Sequence, residues 1–349
     1  MPSMNAVVVS RQGKPVAPNV AYVTDFPAPE PGPGEALIRT EASALNHLDL
    51  WVGHGLPGLD LTYPRIGGSD GAGIVERVGP GVDQAWVGKR VLLNAAKPQV
   101  EKPLPGRTPA PPDIVMIGEH ENGAHAQFFV APVANLLDVG DADPAQAAAI
   151  GLTHLTAWRM LRTRAGLKPG MTVLITGIGG GVALAALNIC RHFGCTTIVT
   201  SRHPWKLDKA KALGATHGVL DAGAPGGDWS REVRTLTGKR GVDICVDSIG
   251  KAVHLAGVKS LARGGVYVTC GCTTGADAIT DLARVFWNQL SIVGSTMGDM
   301  QEFREVVAMF RAGSITPVIE HVFAPTEARR AYETLEKGEQ FGKIVFRWS

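Results

Sequence analysis

The stretch "TVLITGIGGGVALAALNIC", residues 172–190, constrains this chain more than any other. A β-branched, apolar run leads into Gly177, Gly179, Gly180 and Gly181. After these, Val182, Ala186, Ile189 and Phe193 recur at helical spacing. Strand, glycine turn and helix in that order are the setting in which a Gly-rich loop binds a dinucleotide; without it the run is only a turn. The glycines let the turn close and let backbone approach a pyrophosphate, and the N–H groups that open the helix favour its charge. The third fingerprint position is Ala183, an accepted alternative to glycine.

The surrounding rhythm agrees. From about residue 138 the chain alternates strands with helices. "TTIVTS" (196–201), "HGVLD" (217–221), "VDICVDS" (242–248), "GVYVTCG" (265–271) and "SIVGS" (291–295) follow the first strand, and one intervening helix is opened by Pro204 and closed by Gly214. Six strands in this pattern predict an α/β, Rossmann-type doubly wound parallel sheet. The first 135 residues read differently: "NAVVV" (5–9), "EALIRTEAS" (35–43), "GAGIVERV" (71–78) and "GKRVLL" (88–93) are short runs between turn segments such as "PAPEPGPGE" (27–35). They predict an antiparallel, barrel-like β domain. Residues 97–113 hold six prolines and predict an extended loop. The tail adds an amphipathic helix (301–313) and a last strand (343–348).

With 34 basic and 32 acidic residues the net charge is +2, which points to neither nucleic acid nor an anionic membrane as partner. The N-terminus lacks the pattern of a secretory leader, and the apolar stretch 182–190 is too short to span a bilayer. A cytoplasmic protein is expected. The five cysteines contain no C-x-x-C pair and read as small buried thiols; Cys270 and Cys272 alternate on a predicted strand and are expected to share a face.

The choice between NAD and NADP falls near the end of the second strand of the alternating series. A carboxylate there accepts from a ribose 2′-hydroxyl. Here "TSRHPWK" (200–206) offers no acid before Asp208. Ser201, Arg202 and Lys206 suit a 2′-phosphate instead, with Arg202 able to bind it bidentately. NADPH is therefore the expected cofactor. The plainer alternative is solvated surface charge.

One more segment bears on chemistry. "ALNHLDLWVGHG" (44–55) holds His47, Asp49, Trp51 and His54 close together, and "GEHENGAH" (118–125) adds His120 and His125. Such a set raises the question of a metal. A catalytic zinc needs three good ligands in fixed geometry. His47 and Asp49 are only two apart and His54 is expected beyond a turn, so these residues read rather as the polar lining and rim of a cleft.

The motifs "GSDGAGIVERVGPGV" (68–82), "GLTHLTAWRML" (151–161), "LKPGMTVLITGIGGGV" (167–182), "KLDKAKALGA" (206–215), "GVDICVDSIG" (241–250) and "FGKIVF" (341–346) together resemble the medium-chain dehydrogenase/reductase superfamily over essentially the whole chain. The resemblance implies a GroES-like β-barrel catalytic domain, residues 1–137 and 296–349, around a dinucleotide-binding domain, residues 138–295. Zinc members carry a cysteine where this chain has Asn46, and a histidine–glutamate pair where it has Ser69-Asp70. Their four structural-zinc cysteines fall in the cysteine-free, proline-rich segment. What remains is similar to the zinc-free quinone oxidoreductase branch, whose N-x-x-D motif appears as Asn46-His47-Leu48-Asp49. That branch implies that Asn46 faces nicotinamide and substrate, that Asp49 orients the loop and that Thr156 packs beside the nicotinamide. Trp51, Gly53 and Pro57 stand where the branch carries other residues, which puts quinone itself in question as the natural substrate.

The expectation is thus an NADPH-dependent, zinc-independent reductase of quinones or α,β-unsaturated carbonyls, acting on a small molecule and assembling as a homodimer. Its catalytic group is Asn46, Asp49, Trp51 and His54, with His54 either a proton donor or a rim residue. Its cofactor group is Thr156, Gly177, Gly179, Gly180, Gly181, Val182, Ser201, Arg202, Lys206, Ser248, Gly271 and Cys272. The alternatives are an alcohol or aldehyde dehydrogenase of the same superfamily and an NADPH-binding protein without catalysis.

Overall fold

The computed structural model describes residues 2–56, 58–98, 114–221 and 228–348. Pro57 and most of the proline-rich segment lie outside them. The chain divides into two compact units: residues 1–152 with 299–349, and residues 153–298. The first division falls inside the helix Pro144–Trp158, whereas the change of sequence rhythm set the expected boundary at residues 137–138. The helix runs on through Gly151, where a Cβ would collide with Asp70 Oδ1, and no other residue after Pro144 is a breaker.

The first unit is largely antiparallel. Strands Leu136–Asp138, Arg90–Leu93, Gly71–Val78, Glu35–Ala44, Lys343–Arg347 and Ile319–Phe323 lie side by side in that order, and Phe128–Pro132 also pairs with Glu35–Ala44. A three-stranded sheet of Val20–Pro27, Ser3–Val9 and Arg65–Ile66 stands beside them. The last strand of the chain pairs with Glu35–Ala44, bringing residues near 345 next to Ala44. The helix His47–His54 follows directly on that central strand. It runs through His54, where a turn was expected. Asn46 caps it, the Asp49 carboxylate accepts the Asn46 N–H at 2.7 Å, and Leu50 packs into a core with Val16, Tyr332 and Phe346. That burial holds the short helix together as far as His54.

The second unit is a six-stranded, fully parallel sheet in the order His217–Leu220, Thr196–Ser201, Thr172–Ile175, Val242–Asp247, Leu261–Thr269, Ser291–Gly294. Its order reverses beside the first strand of the series, where ligands bind outside the strand ends. The inner strands are rich in apolar residues because both their faces are buried; Leu174, Ile198, Val219, Cys245 and Tyr267 share one core. One expectation fails here. The strand stops at Thr269, so Cys270 and Cys272 do not share a strand face: Cys272 is exposed, while Cys270 is half-buried, its thiol pushed by burial up to about 12. Beyond Thr269 the Cys270 N–H donates to the Asp247 carbonyl at 3.1 Å, and the Thr269 hydroxyl turns to the Gly271 carbonyl at 3.1 Å.

Candidate active site and its family

In the second unit the glycine turn has the shape its sequence implies. Gly177 adopts φ 63°, and a Cβ there would lie 2.6 Å from the Ile249 side chain. Gly179 has φ 120°. The Gly177 N–H donates to Thr200 Oγ1 at 3.2 Å, which ties the turn to the next strand. Gly180 caps the helix Gly181–His192, whose first N–H groups, at Gly181, Val182 and Ala183, have no acceptor within the helix. Backbone donors at the open end of a long helix, beneath a turn that no side chain fills, fit a pyrophosphate.

Asp247 completes this edge, and nothing in the motif analysis singled it out. Its carboxylate accepts from Thr176 Oγ1 at 2.7 Å and from the N–H groups of Ile249 and Gly250 at 2.9 and 3.0 Å. It thereby locks two strand ends around the turn. Ser248, Gly271 and Cys272 gather beside it: a Cβ on Gly271 would meet the Ser248 carbonyl at 3.0 Å, and one on Gly250 would meet Cys272 at 2.7 Å. Thr156 is buried, with its hydroxyl 3.9 Å from Met297 Sδ.

The second strand's end carries Ser201, buried, with its hydroxyl accepting from the His203 N–H at 3.1 Å. Arg202 is exposed and Lys206 is buried, its ammonium 5.3 Å from the Trp205 ring centroid. The fold also brings in an acid from the adjacent strand: the Asp221 N–H donates to the Ser201 carbonyl at 2.8 Å. Burial lifts its carboxyl above the ordinary aspartate range, against the opposing pull of the Arg202 charge and of a hydrogen bond to the Trp229 side chain. This corner therefore holds two cations and one carboxylate. The carboxylate stands twenty residues beyond the position where sequence reasoning looked for it.

In the first unit the structure joins Asn46 to partners far away in sequence. Asn46 Nδ2 donates to Asp70 Oδ2 at 2.9 Å and more weakly to the Ala44 carbonyl at 3.4 Å. Lys343 donates to Asn46 Oδ1 at 2.6 Å and to Asp70 Oδ2 at 2.9 Å. Asp70 Oδ1 accepts the Leu152 N–H at 2.6 Å. All three side chains are buried. Lys343 was not among the expected site residues: its segment read only as the last strand of the chain.

Asp49 stands behind this group. Its Oδ1 accepts the Gly68 N–H at 2.9 Å and lies 3.4 Å from His125 Nε2, while His125 Nδ1 is 2.9 Å from Ser43 Oγ. Gly68, at φ 97°, admits this approach; a Cβ there would lie 2.6 Å from the His125 nitrogen. Burial alone raises a carboxyl. At Asp49 the charge and hydrogen bond of His125, with the N–H donors of Asn46 and Gly68, outweigh it and hold the group below its ordinary range.

Trp51 and His54 lie farther along the helix and make other contacts. The Trp51 ring stands edge-on to His47 at 5.8 Å, and the His54 carbonyl accepts from Gln12 Nε2 at 2.6 Å. Burial first, then the Lys14 charge, lower the His54 pKa against the influence of Glu336, so the ring is neutral at pH 7. His120 Nδ1 accepts from the Met116 N–H at 3.2 Å. The His47, His120 and His125 rings thus go to separate neighbours. Among the described residues no group of three or more His, Cys, Asp or Glu side chains is placed to hold a metal ion. The Ser69 hydroxyl is turned to the Ile117 carbonyl at 2.7 Å, and Lys343 already sits between Asn46 and Asp70. This donor set does not fit a catalytic zinc.

Comparison with known proteins gives the chain its relatives. Residues 32–141 match the family described as alcohol dehydrogenase GroES-like domain, and residues 181–312 match zinc-binding dehydrogenase. The zinc-type alcohol dehydrogenase-like protein YogA of Leptosphaeria maculans is 32% identical over 339 residues, covering 91% of each chain. A crystal structure of an NAD-dependent alcohol dehydrogenase superposes with TM-score 0.91 at 37% identity, over 99% of this chain and 100% of that one. A crotonyl-CoA carboxylase/reductase variant solved with NADP superposes with TM-score 0.89 at 25% identity, over 99% and 95%. Parallel sheet, glycine turn, antiparallel partner unit and relatives of full length all agree: this chain is an oxidoreductase of the medium-chain dehydrogenase/reductase superfamily.

Proposed function

We propose that the protein is an NADPH-dependent, zinc-independent reductase of quinones or α,β-unsaturated carbonyls. The observation that carries this is the Asn46–Asp70–Lys343 cluster: an amide, a carboxylate and an ammonium are bonded to one another where zinc members of the superfamily place metal ligands. Bound NADPH supplies the hydride. Hydride addition to an electron-poor carbon leaves negative charge on the conjugated oxygen, and without a Lewis acid that charge has to be met by hydrogen-bond donors. The Asn46 amide retains one N–H whose only bond is the 3.4 Å contact to Ala44. Lys343 against Oδ1 draws electron density from the amide and strengthens that donor. Asp70 and Lys343 also fix which way round the amide stands. Water returns the proton to carbon, and His54, neutral at pH 7 because burial lowers its pKa, serves as a rim residue.

Ser201, Arg202 and Lys206 would hold a 2′-phosphate, and the NADP-bound carboxylase/reductase supports that choice. Asp221 and the NAD-dependent relative favour NADH. The same relative supports the second reading, an alcohol or aldehyde dehydrogenase. The third alternative, an NADPH-binding protein without catalysis, shares the cofactor site but transfers no hydride. NADPH oxidation measured with 9,10-phenanthrenequinone, an enone and a simple aldehyde, each with and without chelator, separates all three. We expect turnover with quinone or enone that survives chelation. Turnover of the aldehyde alone, abolished by chelation, would refute the proposal, and dinucleotide binding without any turnover would leave the binding protein.

We further propose that the small-molecule reductase works in the cytoplasm as a homodimer. The Ser291–Gly294 strand ends its sheet, and Ile279, Leu282, Phe286 and Trp287 beside it are exposed. Light scattering should return twice the 36.8 kDa chain mass; the single mass, unchanged at high concentration, would refute it.

A further inference from the structure

Five cysteines are free, and two of them meet. Cys190 lies in the last turn of the helix Gly181–His192, and Cys195 immediately precedes the strand Thr196–Ser201. The Cys195 N–H donates to the Cys190 carbonyl at 2.9 Å. Standard backbone lengths then keep the two Cα atoms within about 6.8 Å of each other, inside the range of about 4.4–6.8 Å that disulfides span. Each thiol shifts the pKa of the other. Their surroundings differ sharply. Cys190 is fully buried, whereas Cys195 is half-buried at the surface, its Sγ 3.5 Å from the Lys168 carbonyl.

We propose that Cys190 and Cys195 form a reversible dithiol–disulfide pair that a hydroperoxide oxidises, with Cys195 as the attacking thiol and Cys190 as the resolving one. The electrostatics point the same way. The hydrogen bond from Cys190, with help from the N–H groups of Met171 and Gly170, lowers Cys195 to about 7, against burial and the nearby Asp243 charge. The same thiol–thiol bond and its own burial push Cys190 upward. At neutral pH the thiolate thus sits on the accessible member. Its sulfur attacks one peroxide oxygen, the O–O bond breaks, and the departing oxygen leaves as water after taking a proton; Cys195 becomes a sulfenic acid. Cys190 sulfur then attacks Cys195 sulfur, the S–O bond breaks, and the hydroxyl leaves as water with the Cys190 proton. One peroxide is reduced by two electrons and two thiols become one disulfide. The bond pins the far end of the helix that opens at the glycine turn. Twelve residues of helix, about 18 Å, separate the two ends, so dinucleotide affinity should change less than about twofold.

The test is made on the full-length protein with hydrogen peroxide in slight molar excess, followed by alkylation under denaturing conditions. Thiols should fall from five to three, and dithiothreitol should restore all five. Arg191 lies between the two cysteines, so trypsin separates them and the disulfide is seen directly as a linked peptide pair. In Cys190→Ser, Cys195 should accumulate as a sulfenic acid trapped by dimedone; in Cys195→Ser no linked pair should form and basal turnover should be unchanged. If Cys272, the exposed thiol, is oxidised while Cys195 stays alkylatable, the pair has no such role. The same conclusion follows if wild-type Cys195 goes to sulfinic acid with no linked pair. Neither result depends on which substrate the enzyme reduces.

Discussion

Replacing Lys343 by methionine removes the ammonium and keeps most of the aliphatic stem. Lys343 is 4% exposed and its charge is shared between Asn46 Oδ1 and Asp70 Oδ2. Deleting one partner of a buried ion pair generally costs about 3–5 kcal/mol, because the other charge is left uncompensated. Asp70 keeps two donors here, Asn46 Nδ2 at 2.9 Å and the Leu152 N–H at 2.6 Å, which argues for the lower end, about 3 kcal/mol. For a unit of this size that is a fall of about 6–12 °C in Tm. Adding Asp70→Asn removes the stranded charge and should recover at least half of the loss, and the coupling measured by the double-mutant cycle is the quantity of interest. Urea unfolding of the wild type, both single variants and the double variant supplies it. Turnover should fall in Lys343→Met even where the protein is fully folded, since the Asn46 amide loses the charge that orients it. A single variant within about 1 kcal/mol of wild type, or a double variant no more stable than Lys343→Met, would refute this account of the cluster.

Three further outcomes follow from the geometry. Asn46→Ala should lower turnover about 10²-fold, the low end for loss of one oxyanion donor, and Asn46→Asp should be worse because it sets a carboxylate against Asp70; a variant that melts early yet turns over at the wild-type rate would show Asn46 to be only a helix cap. Asp49 is held below its ordinary range near 3.8, so its stabilisation is complete above that pH and is lost as pH falls through the lower folded value; Asp49→Asn should flatten the acid side of the urea midpoint against pH, and an unchanged acid limb would be contrary. Arg202→Ala should cost NADPH at least about tenfold, about 1.4 kcal/mol, with little change for NADH, whereas Asp221→Asn should tighten NADPH; equal effects on both dinucleotides in titrations would remove these residues from the 2′ corner.

The nucleotide-binding unit was legible because its determinants are local. Strand, glycine turn and helix lie within about twenty residues, and each has its own period and breaker, so the turn at Gly177 and the six-strand series were readable before any contact was known. The segment after Asn46 was read as a loop with a turn before His54, whereas it is a helix whose length depends on Leu50 finding Val16 and Tyr332. The strand carrying Cys270 was read too long, since the sequence run continues past Thr269 while its pairing with both neighbouring strands ends there.

The site followed the same division. Sequence by itself determined that no acid lies at 200–204, and the family resemblance it carries implied that Asn46 and Asp70 stand where zinc members place metal ligands, because both rest on residue identity at a motif position. Only the tertiary structure decided what those residues touch. Lys343 reaches Asn46 across 297 positions, His125 reaches Asp49 across 76, and Asp221 meets Ser201 from the neighbouring strand. Such contacts leave no periodicity, because the residues share no turn of helix and no strand. They exist because the last strand pairs with Glu35–Ala44 and the third strand of the parallel sheet pairs with the second. Sheet register set those meetings, and burial then required each of these polar groups to find its partner.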